Sequence, residues 1–238
     1  MLHVGAAEVL AMTLSRRVDA LVGHQLALWE AAGRLAQVPP CIAIASLPGA
    51  GGEEVGRLVA GRLGYGLFGR EIVDQIAQQR GVSAALMRGL DDQMRSLIAR
   101  YVADVLGSRP FNETDFLREV VSAVTTLGRR GHAVIVGRGA AFILDPHSAL
   151  RVLVAAPIAV RVERAAKQRD LERARTEAML REEDARRIEF VRHHFGARHD
   201  DPLCYDLVLN TGMLGLEAAA NLVVETHQTR FPRPVQRS

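Results

Sequence analysis

The stretch from Ile42 to Val55 reads IAIASLPGAGGEEV. It begins with a short apolar run, typical of a strand, and continues into a glycine-rich turn. After the turn, apolar side chains recur at the three- and four-residue spacing of a helix. A turn between a strand and a helix directs successive backbone N–H groups, and the positive end of the helix, at one point. Glycines at 49, 51 and 52 permit a phosphate group to approach the backbone closely. The stretch therefore predicts a phosphate-binding loop, and the alternative is a tight turn without a ligand.

The loop lacks the charged and hydroxyl side chains of the full phosphate-loop signature, G-x-x-x-x-G-K-[S/T]. Ser46 occupies the first glycine position, Gly52 the lysine position and Glu53 the hydroxyl position. Lys167 is the only lysine of the chain, so the basic residues are almost all arginine. Glu53 and Glu54 would repel a triphosphate unless a cation or an arginine intervenes.

Charged residues also follow the carboxyl ends of later apolar runs. In a sheet of parallel strands these ends meet at one edge, where ligands bind. Arginine is suited to this position because its planar guanidinium contacts phosphate through two hydrogen bonds. Each charged pair alone is typical of a solvated helix face, but their joint placement predicts an anion-binding edge. The residues are Arg138 between Gly137 and Gly139, the pair Arg161 and Arg164, and the pair Asp184 and Arg187.

Short apolar runs alternate with helical stretches from Pro40 to Val224, a rhythm that predicts one α/β domain. Runs that are apolar throughout are typical of parallel strands covered by helices on both faces. The pattern therefore predicts a doubly wound parallel sheet. The five predicted strands are Ile42–Ala45, Gly66–Phe68, Ala133–Val136, Leu150–Val154 and Tyr205–Leu209.

Residues 1–38 are predicted to form a separate N-terminal helical extension that ends before Pro39 and Pro40. An apolar stripe that includes Leu21, Leu28 and Trp29 runs along one face of this helix. We expect the stripe to pack on the following domain or on a second copy of it, which favours a homodimer through this helix. A lipid or peptide contact is the less favoured alternative. Residues 227–238 are expected to form a loose tail.

Composition excludes several classes of protein. Of the 238 residues 48% are hydrophobic and 24% are charged, which is ordinary for a globular protein and excludes a disordered chain. No apolar stretch is long enough for a membrane helix, and the first 14 residues lack the basic region and cleavage site of a secretion signal. Cys41 and Cys204 have no metal-binding or redox spacing, which fits a cytoplasmic protein. The net charge of +3 does not indicate a nucleic-acid partner.

From about Trp29 to Val224 the chain resembles the cytidylate-kinase-like family, a branch of the nucleoside monophosphate kinases among the P-loop NTPases. The order and spacing of six motifs carry the resemblance. They are GAGGEEV at 49–55, GYGLFGRE at 64–71, VIVGRGA at 134–140, Ala156-Pro157 followed by Arg161 and Arg164, Asp184 and Arg187 followed by Phe195-Gly196, and DPLCYDLVLNT at 201–211.

The resemblance implies a three-layer domain over 39–226, with a parallel sheet in the order 2-3-1-4-5. It also implies a helical acceptor-binding insertion at about 69–130 and a lid at about 165–199. The implied reaction is phosphoryl transfer from ATP, with Mg²⁺, to a pyrimidine nucleoside monophosphate such as CMP or dCMP. The implied partners are therefore small-molecule nucleotides, not nucleic acid or a membrane.

The resemblance also implies roles for individual residues. The donor phosphates would lie against the loop amides, Arg138 beside Gly137 would hold the acceptor phosphate, and lid arginines would bracket the transferring group. Gly52 in place of the loop lysine is typical of the branch. The residues are Gly49, Ala50, Gly51, Gly52, Glu53 and Glu54 for ATP; Arg70, Gly137 and Arg138 for the acceptor; Arg164 and Arg187 for catalysis; and Arg161 and Asp184 in support.

Two departures from the family pattern leave the activity open. Ala45, Ser46 and Leu47 replace a Ser-Arg-Glu run, and Gly69 replaces an aspartate expected near the acceptor. Three functions are therefore compatible with the chain: an active nucleoside monophosphate kinase, a nucleotide-binding protein or sensor without turnover, and a kinase for another small acceptor.

Overall fold

The computed structural model describes residues 40–69, 73 and 114–232. Within them, five strands form one sheet in the order β2-β3-β1-β4-β5, and every neighbouring pair is parallel. The predicted fold and strand order are confirmed. The N-terminal extension and Arg70 lie outside the described residues. The strands are β1 (Cys41–Ser46), β2 (Gly66–Phe68), β3 (Ala133–Val136), β4 (Ala149–Ala155) and β5 (Leu207–Asn210).

Helices cover both faces of the sheet, as its apolar strands require. Successive side chains of β1 point to opposite faces, so that Ala43 packs on one core and Ile42 and Ile44 on the other. The first core contains residues of α2 and α3, and the second contains residues of α1 and α6. The helices are α1 (Gly52–Leu63), α2 (Thr114–Arg130), α3 (Ala140–Ile143), α4 (Ile158–Arg169), α5 (Arg173–Phe195) and α6 (Thr211–Arg230).

The predicted acceptor insertion at about 69–130 is described only at its ends. Its last part is α2, whose side chains from Leu117 to Leu127 include a buried apolar set in the sheet's core. The part of the insertion that is described is therefore a core crossover helix between β2 and β3.

The predicted lid corresponds to the end of α4 and the long helix α5. A small apolar cluster of Val162, Ala165 and Leu180 joins these two helices. Most of α5 is exposed, and many of its arginines pair with glutamates along the same helix, as in Arg181–Glu177 at 2.6 Å. Part of the positive charge of this helix is therefore neutralised within the helix itself.

The last strand begins later than the predicted Tyr205–Leu209. A short 3-10 helix at Pro202–Cys204 precedes it, and the carboxylate of Asp201 accepts a hydrogen bond from the backbone N–H of Leu203. Tyr205 lies outside the strand because its backbone N–H donates to the carbonyl oxygen of Pro202 at 3.1 Å, within this turn. Its hydroxyl donates to the carbonyl oxygen of His199 at 2.9 Å. Among the described residues, no helix combines the length and apolar character needed to cross a membrane.

The loose tail predicted from residue 227 is wrong for its first four residues, because α6 continues to Arg230. His227 is buried, and Arg230 reaches the carboxylate of Asp206, at the start of β5, at 2.6 Å. Asp206 also accepts hydrogen bonds from the backbone N–H of Arg151 at 2.8 Å and from its guanidinium at 2.9 Å. One carboxylate therefore ties β4, β5 and the end of α6 together.

Replacing Asp206 with asparagine tests this tie. Burial alone would raise the pKa of Asp206, but hydrogen bonds from Arg151 and Arg230 outweigh it and the pKa lies below its ordinary value. A lowered carboxylate pKa adds stability above the unfolded pKa of about 3.9, and this stability is lost as the pH falls through the folded pKa. We predict that Asp206→Asn lowers the free energy of unfolding at neutral pH by about 1.5–3 kcal/mol.

Urea unfolding of both proteins between neutral and acidic pH measures this difference, which should shrink as the pH falls. Glu177→Gln is the matched control, because its partner Arg181 is exposed on the same helix and exposed pairs contribute at most about 1 kcal/mol. A difference for Asp206→Asn that does not change with pH would contradict the ion-pair account.

Candidate functional site

The glycine loop joins the carboxyl end of β1 to the first turn of α1. Gly49 and Gly51 adopt left-handed backbone conformations with φ of 76° and 87°, which glycine accommodates without strain. Within the described part of the chain, the backbone N–H groups of Gly49 and of Gly51–Glu54 donate to no backbone carbonyl. The first closing bond of the helix is donated by Val55 to Gly51 at 3.0 Å. The loop thus presents a row of open donors at a helix N-terminus, which favours an anion.

The carbonyl oxygens of the same loop are held by three arginines. Arg187 donates to the carbonyl of Ser46, Arg161 donates to Pro48 at 3.2 Å, and Arg164 donates to Ala50 at 3.2 Å. These are alternate carbonyls of the loop. The arginines belong to α4 and α5, so the lid helices hold the loop through the backbone groups that an anion would not use.

Arg161 is the most enclosed of the three, with 6% of its surface exposed. Its guanidinium also pairs with Asp184 at 3.0 Å, which joins α4 to α5. A Cβ atom at Gly49 would lie 2.8 Å from the carbonyl oxygen of Arg161, so the loop lies directly against α4. The structure therefore brings together Arg161, Asp184 and the loop, as expected for supporting residues.

Arg164 is joined to Thr211, the first residue of α6. It donates to the hydroxyl of Thr211 at 2.8 Å and to its carbonyl at 2.9 Å. The fully buried hydroxyl in turn donates to the carbonyl of Ala50 at 2.7 Å. In this structure Arg164 thus supports the loop, and its direct contact with a transferring phosphoryl group stays a prediction.

His199 lies behind Arg187, with 6% of its surface exposed. Burial lowers the pKa of His199 and the positive charge of Arg187 lowers it further, whereas Asp184 and Asp200 act in the opposite direction. A neutral imidazole adds no repulsion to a neighbouring guanidinium.

Gly52, at the lysine position, is closed by Ser46. A Cβ atom at Gly52 would lie 2.3 Å from the Cβ of Ser46, far inside contact distance. The Ser46 hydroxyl donates to the carbonyl of Leu47 at 3.0 Å, which leaves the side chain against the loop. The lysine is therefore not simply missing, because the loop has no space for any side chain at this position.

The two glutamates after the loop have different surroundings. Glu54 pairs with Arg57 one turn later at 2.5 Å, and this hydrogen bond lowers the pKa of Glu54. Glu53 is exposed, and its Oε1 lies 3.8 Å from the place where a Cβ of Gly69 would stand. Since Gly69 directly follows β2, Glu53 reaches from the loop toward the end of that strand.

The predicted acceptor side lies at the end of β3, beside β1. Gly137, Arg138 and Gly139 have φ of 80°, 52° and 71°, so three successive residues are left-handed and Arg138 carries backbone strain. A Cβ at Gly139 would lie 2.6 Å from the ring of Phe195, the last residue of α5. The turn that carries Arg138 therefore packs against the end of the lid helix.

The side chains near the loop could hold Mg²⁺ only together with the phosphates of a bound nucleotide. Among the described residues, no group of three or more His, Cys, Asp or Glu side chains could hold a metal by itself. Mg²⁺ commonly uses one or two carboxylates together with substrate phosphates and retains several waters. The exposed carboxylate of Glu53 beside the open amides fits that mode.

A sequence model describing the cytidylate kinase-like family matches residues 41–213. The matched segment runs from β1 to the first residues of α6 and includes the glycine loop, the three loop-binding arginines and Arg138. The chain belongs to the cytidylate kinase-like family. The predicted resemblance is confirmed.

The individual relatives match only part of the chain. A cytidylate kinase of Staphylothermus marinus is 31% identical over 98 residues, which are 40% of this chain and 54% of the relative. A uronate isomerase of Corynebacterium glutamicum is 32% identical over 120 residues, which are 50% of this chain. The chain spans about half the length of the first relative and about a fifth of the second.

The crystal structure of an uncharacterised protein from Eubacterium ventriosum resembles the chain with a TM-score of 0.56 and 18% identity. The similarity covers 79% of this chain and 97% of that protein. At this identity the similarity concerns the fold alone.

Two features of the site carry no clear sequence signal. Thr211 appeared only as the end of a family motif, yet its hydroxyl joins α6 to the loop. The contact between Ser46 and Gly52 depends on how the loop folds back, and no spacing rule marks it. For Glu53, by contrast, the sequence identified the negative charge, and the structure adds that the side chain extends toward the end of β2.

Substitution at Gly52 tests the closed lysine position. We predict that Gly52→Ala lowers the free energy of unfolding by about 1–3 kcal/mol, because the new methyl group meets the side chain of Ser46. In a Ser46→Gly background the same change should cost less than half as much. Chemical unfolding of the four proteins of this double-mutant cycle measures the coupling.

Gly61→Ala is the matched control on the same helix, since nothing lies within 4 Å of a Cβ there. It should leave stability unchanged or raise it by up to about 1 kcal/mol. Equal costs for Gly52→Ala in both backgrounds would show that Ser46 does not close the position.

Proposed function

We propose that the chain transfers a phosphoryl group from ATP to a nucleoside monophosphate, with CMP or dCMP as the acceptor. The observation that carries the proposal is the row of open loop amides, held from behind by Arg161, Arg164 and Arg187, in a member of the cytidylate kinase-like family. The cytidylate kinase of Staphylothermus marinus supports this choice of acceptor. The loop binds the donor phosphates through its backbone.

The acceptor phosphate binds at the end of β3, where Arg138 lies. Because β3 pairs with β1, this end of the sheet adjoins the loop that binds the donor. Arginine suits the role since a guanidinium makes two charge-assisted hydrogen bonds to one phosphate. The contact between Gly139 and Phe195 links acceptor binding to the end of the lid helix.

In this chain, arginine side chains neutralise the negative charge of the transferring phosphoryl group. Phosphoryl transfer needs positioned reactants and stabilised negative charge more than covalent help. With no side chain at Gly52, Arg187 is the main candidate to contact the transferring group, from its place beside Ser46. Mg²⁺, when bound with the nucleotide, neutralises part of the charge on the donor phosphates. Glu53 would hold it.

The closed position at Gly52 also favours a second function, nucleotide binding without turnover, because the loop cannot place a lysine on the terminal phosphates. Gly69 favours a third, transfer to another small acceptor, because the family aspartate at that position is absent. A coupled ADP-release assay with ATP, Mg²⁺ and a panel of nucleoside monophosphates and other small hydroxylated or phosphorylated acceptors distinguishes the three. Turnover highest with CMP or dCMP supports the proposal, and ATP binding without ADP release with any acceptor contradicts it.

Arg187 provides the sharpest test of the transfer step. We predict that Arg187→Ala reduces kcat at least about a hundredfold, as loss of an arginine from a phosphoryl-transfer site does, with little change in ATP affinity. Arg187→Lys should recover little of the rate, because an ammonium group lacks the planar fork of the guanidinium. Steady-state kinetics and calorimetry of ATP binding measure the two effects separately.

Arg186→Ala is the matched control. Arg186 is the preceding residue of α5, but it is exposed and pairs with Glu182 at 3.4 Å on the solvent side. Its loss should leave kcat and ATP affinity unchanged. If Arg187→Ala binds ATP more weakly but keeps the kcat of the parent, Arg187 only supports the loop and does not act in the transfer step.

A further inference from the structure

Glu53 introduces a negative charge where the phosphates of a nucleotide are expected. It is the second residue of α1, and its own backbone N–H is one of the open donors of the loop. Two like charges a few ångströms apart repel each other, and they do so more strongly near a protein surface than in water. A bound triphosphate therefore requires that this carboxylate be neutralised or turned away.

Arginine neutralises only one of the two loop glutamates in the described part of the chain. Glu54 pairs with Arg57 through two hydrogen bonds, at 3.1 Å and 2.5 Å. No basic side chain among the described residues forms a salt bridge or hydrogen bond with Glu53. The carboxylate of Glu53 extends instead toward Gly69, the residue that directly follows β2.

We propose that Glu53 binds the divalent cation that accompanies the nucleotide phosphates, replacing a loop hydroxyl as the protein's ligand. The proposal rests on the proposed nucleotide site. A carboxylate oxygen is a hard ligand of the kind that Mg²⁺ prefers, and an exposed position lets the ion retain its waters. The cation converts the repulsion between carboxylate and phosphates into a bridge. Glu53 thereby makes nucleotide binding in this chain dependent on the metal.

The proposal predicts opposite effects of one substitution with and without metal. Glu53→Gln keeps the shape of the side chain and removes its charge. Without metal, it should bind a non-hydrolysable ATP analogue more tightly than the parent, because the repulsion is gone. With Mg²⁺ it should bind the analogue more weakly than the parent, because a ligand of the ion is lost.

Calorimetric titrations of the analogue in excess Mg²⁺ and in EDTA measure both effects. The ratio of the two dissociation constants should be at least about fivefold smaller in Glu53→Gln than in the parent, the lower end of ordinary coupling between two ligands. Glu217→Gln is the matched control, because Glu217 pairs with Arg62 at the far end of α1. Its ratio should equal that of the parent.

A second variant separates metal binding from damage to the loop. The Cβ position at Gly69 is open, and its nearest neighbour is the Glu53 carboxylate at 3.8 Å. Glu53→Gln combined with Gly69→Asp therefore returns a carboxylate to nearly the same place from another strand. We predict that this double variant regains most of the metal dependence. Electron paramagnetic resonance of Mn²⁺ with the analogue should show bound ion in the parent and the double variant, and much less in Glu53→Gln.

The outcomes distinguish this inference from the proposed function. If the parent binds the analogue more tightly with Mg²⁺ and Glu53→Gln retains the same ratio, Glu53 is not the metal ligand although the nucleotide site stands. If Glu53→Gln loses affinity equally with and without metal, and Gly69→Asp does not restore it, the side chain only supports the loop and the inference is wrong. If the parent does not bind the analogue under either condition, the proposed function fails and the inference fails with it.

Discussion

The open donors of the glycine loop depend on the hydrogen bonds that hold its carbonyls from behind. Arg187, Arg161 and Arg164 bind three alternate carbonyls of the loop. In a trans peptide the C=O and the following N–H point in opposite directions, so the bonds to Pro48 and Ala50 direct the N–H groups of Gly49 and Gly51 to the other side. Because the arginines belong to α4 and α5, the shape of the loop and the position of these two helices depend on each other. A shift of either helix would alter the loop directly.

The same arrangement brings positive charge close to the loop although the loop has no lysine. The loop at Gly52 lies so close to Ser46 that no side chain fits, and the positive charge comes from guanidinium groups on neighbouring helices. Arginine suits this task because it donates several hydrogen bonds in fixed directions, so one side chain binds a carbonyl and a second group at once. Arg161 does so with Asp184, and Arg164 with Thr211.

The sequence predicted those parts that depend on local patterns. The apolar runs placed β2 and β3 correctly, since short apolar runs between turn residues have a strong signal. The order of the strands came only from the family resemblance, because spacing along the chain does not determine which strands pair. The arginines could be assigned to one edge of the sheet, but their partners could not be predicted. Those partners are backbone carbonyls, which every residue has and no motif marks. The late start of β5 has a similar cause, because the backbone N–H of Tyr205 is bound to the carbonyl of Pro202 in the preceding turn.

Nuclear magnetic resonance of the glycine amides tests the central claim most directly, namely that the loop binds donor phosphates through its backbone. In protein labelled with ¹⁵N-glycine, the account predicts that ATP with Mg²⁺ moves the amide proton signals of Gly49, Gly51 and Gly52 downfield, as formation of a hydrogen bond to an anion does. Gly61, on the outer side of α1, should not move. Unchanged loop signals at a nucleotide concentration that saturates binding would contradict the account.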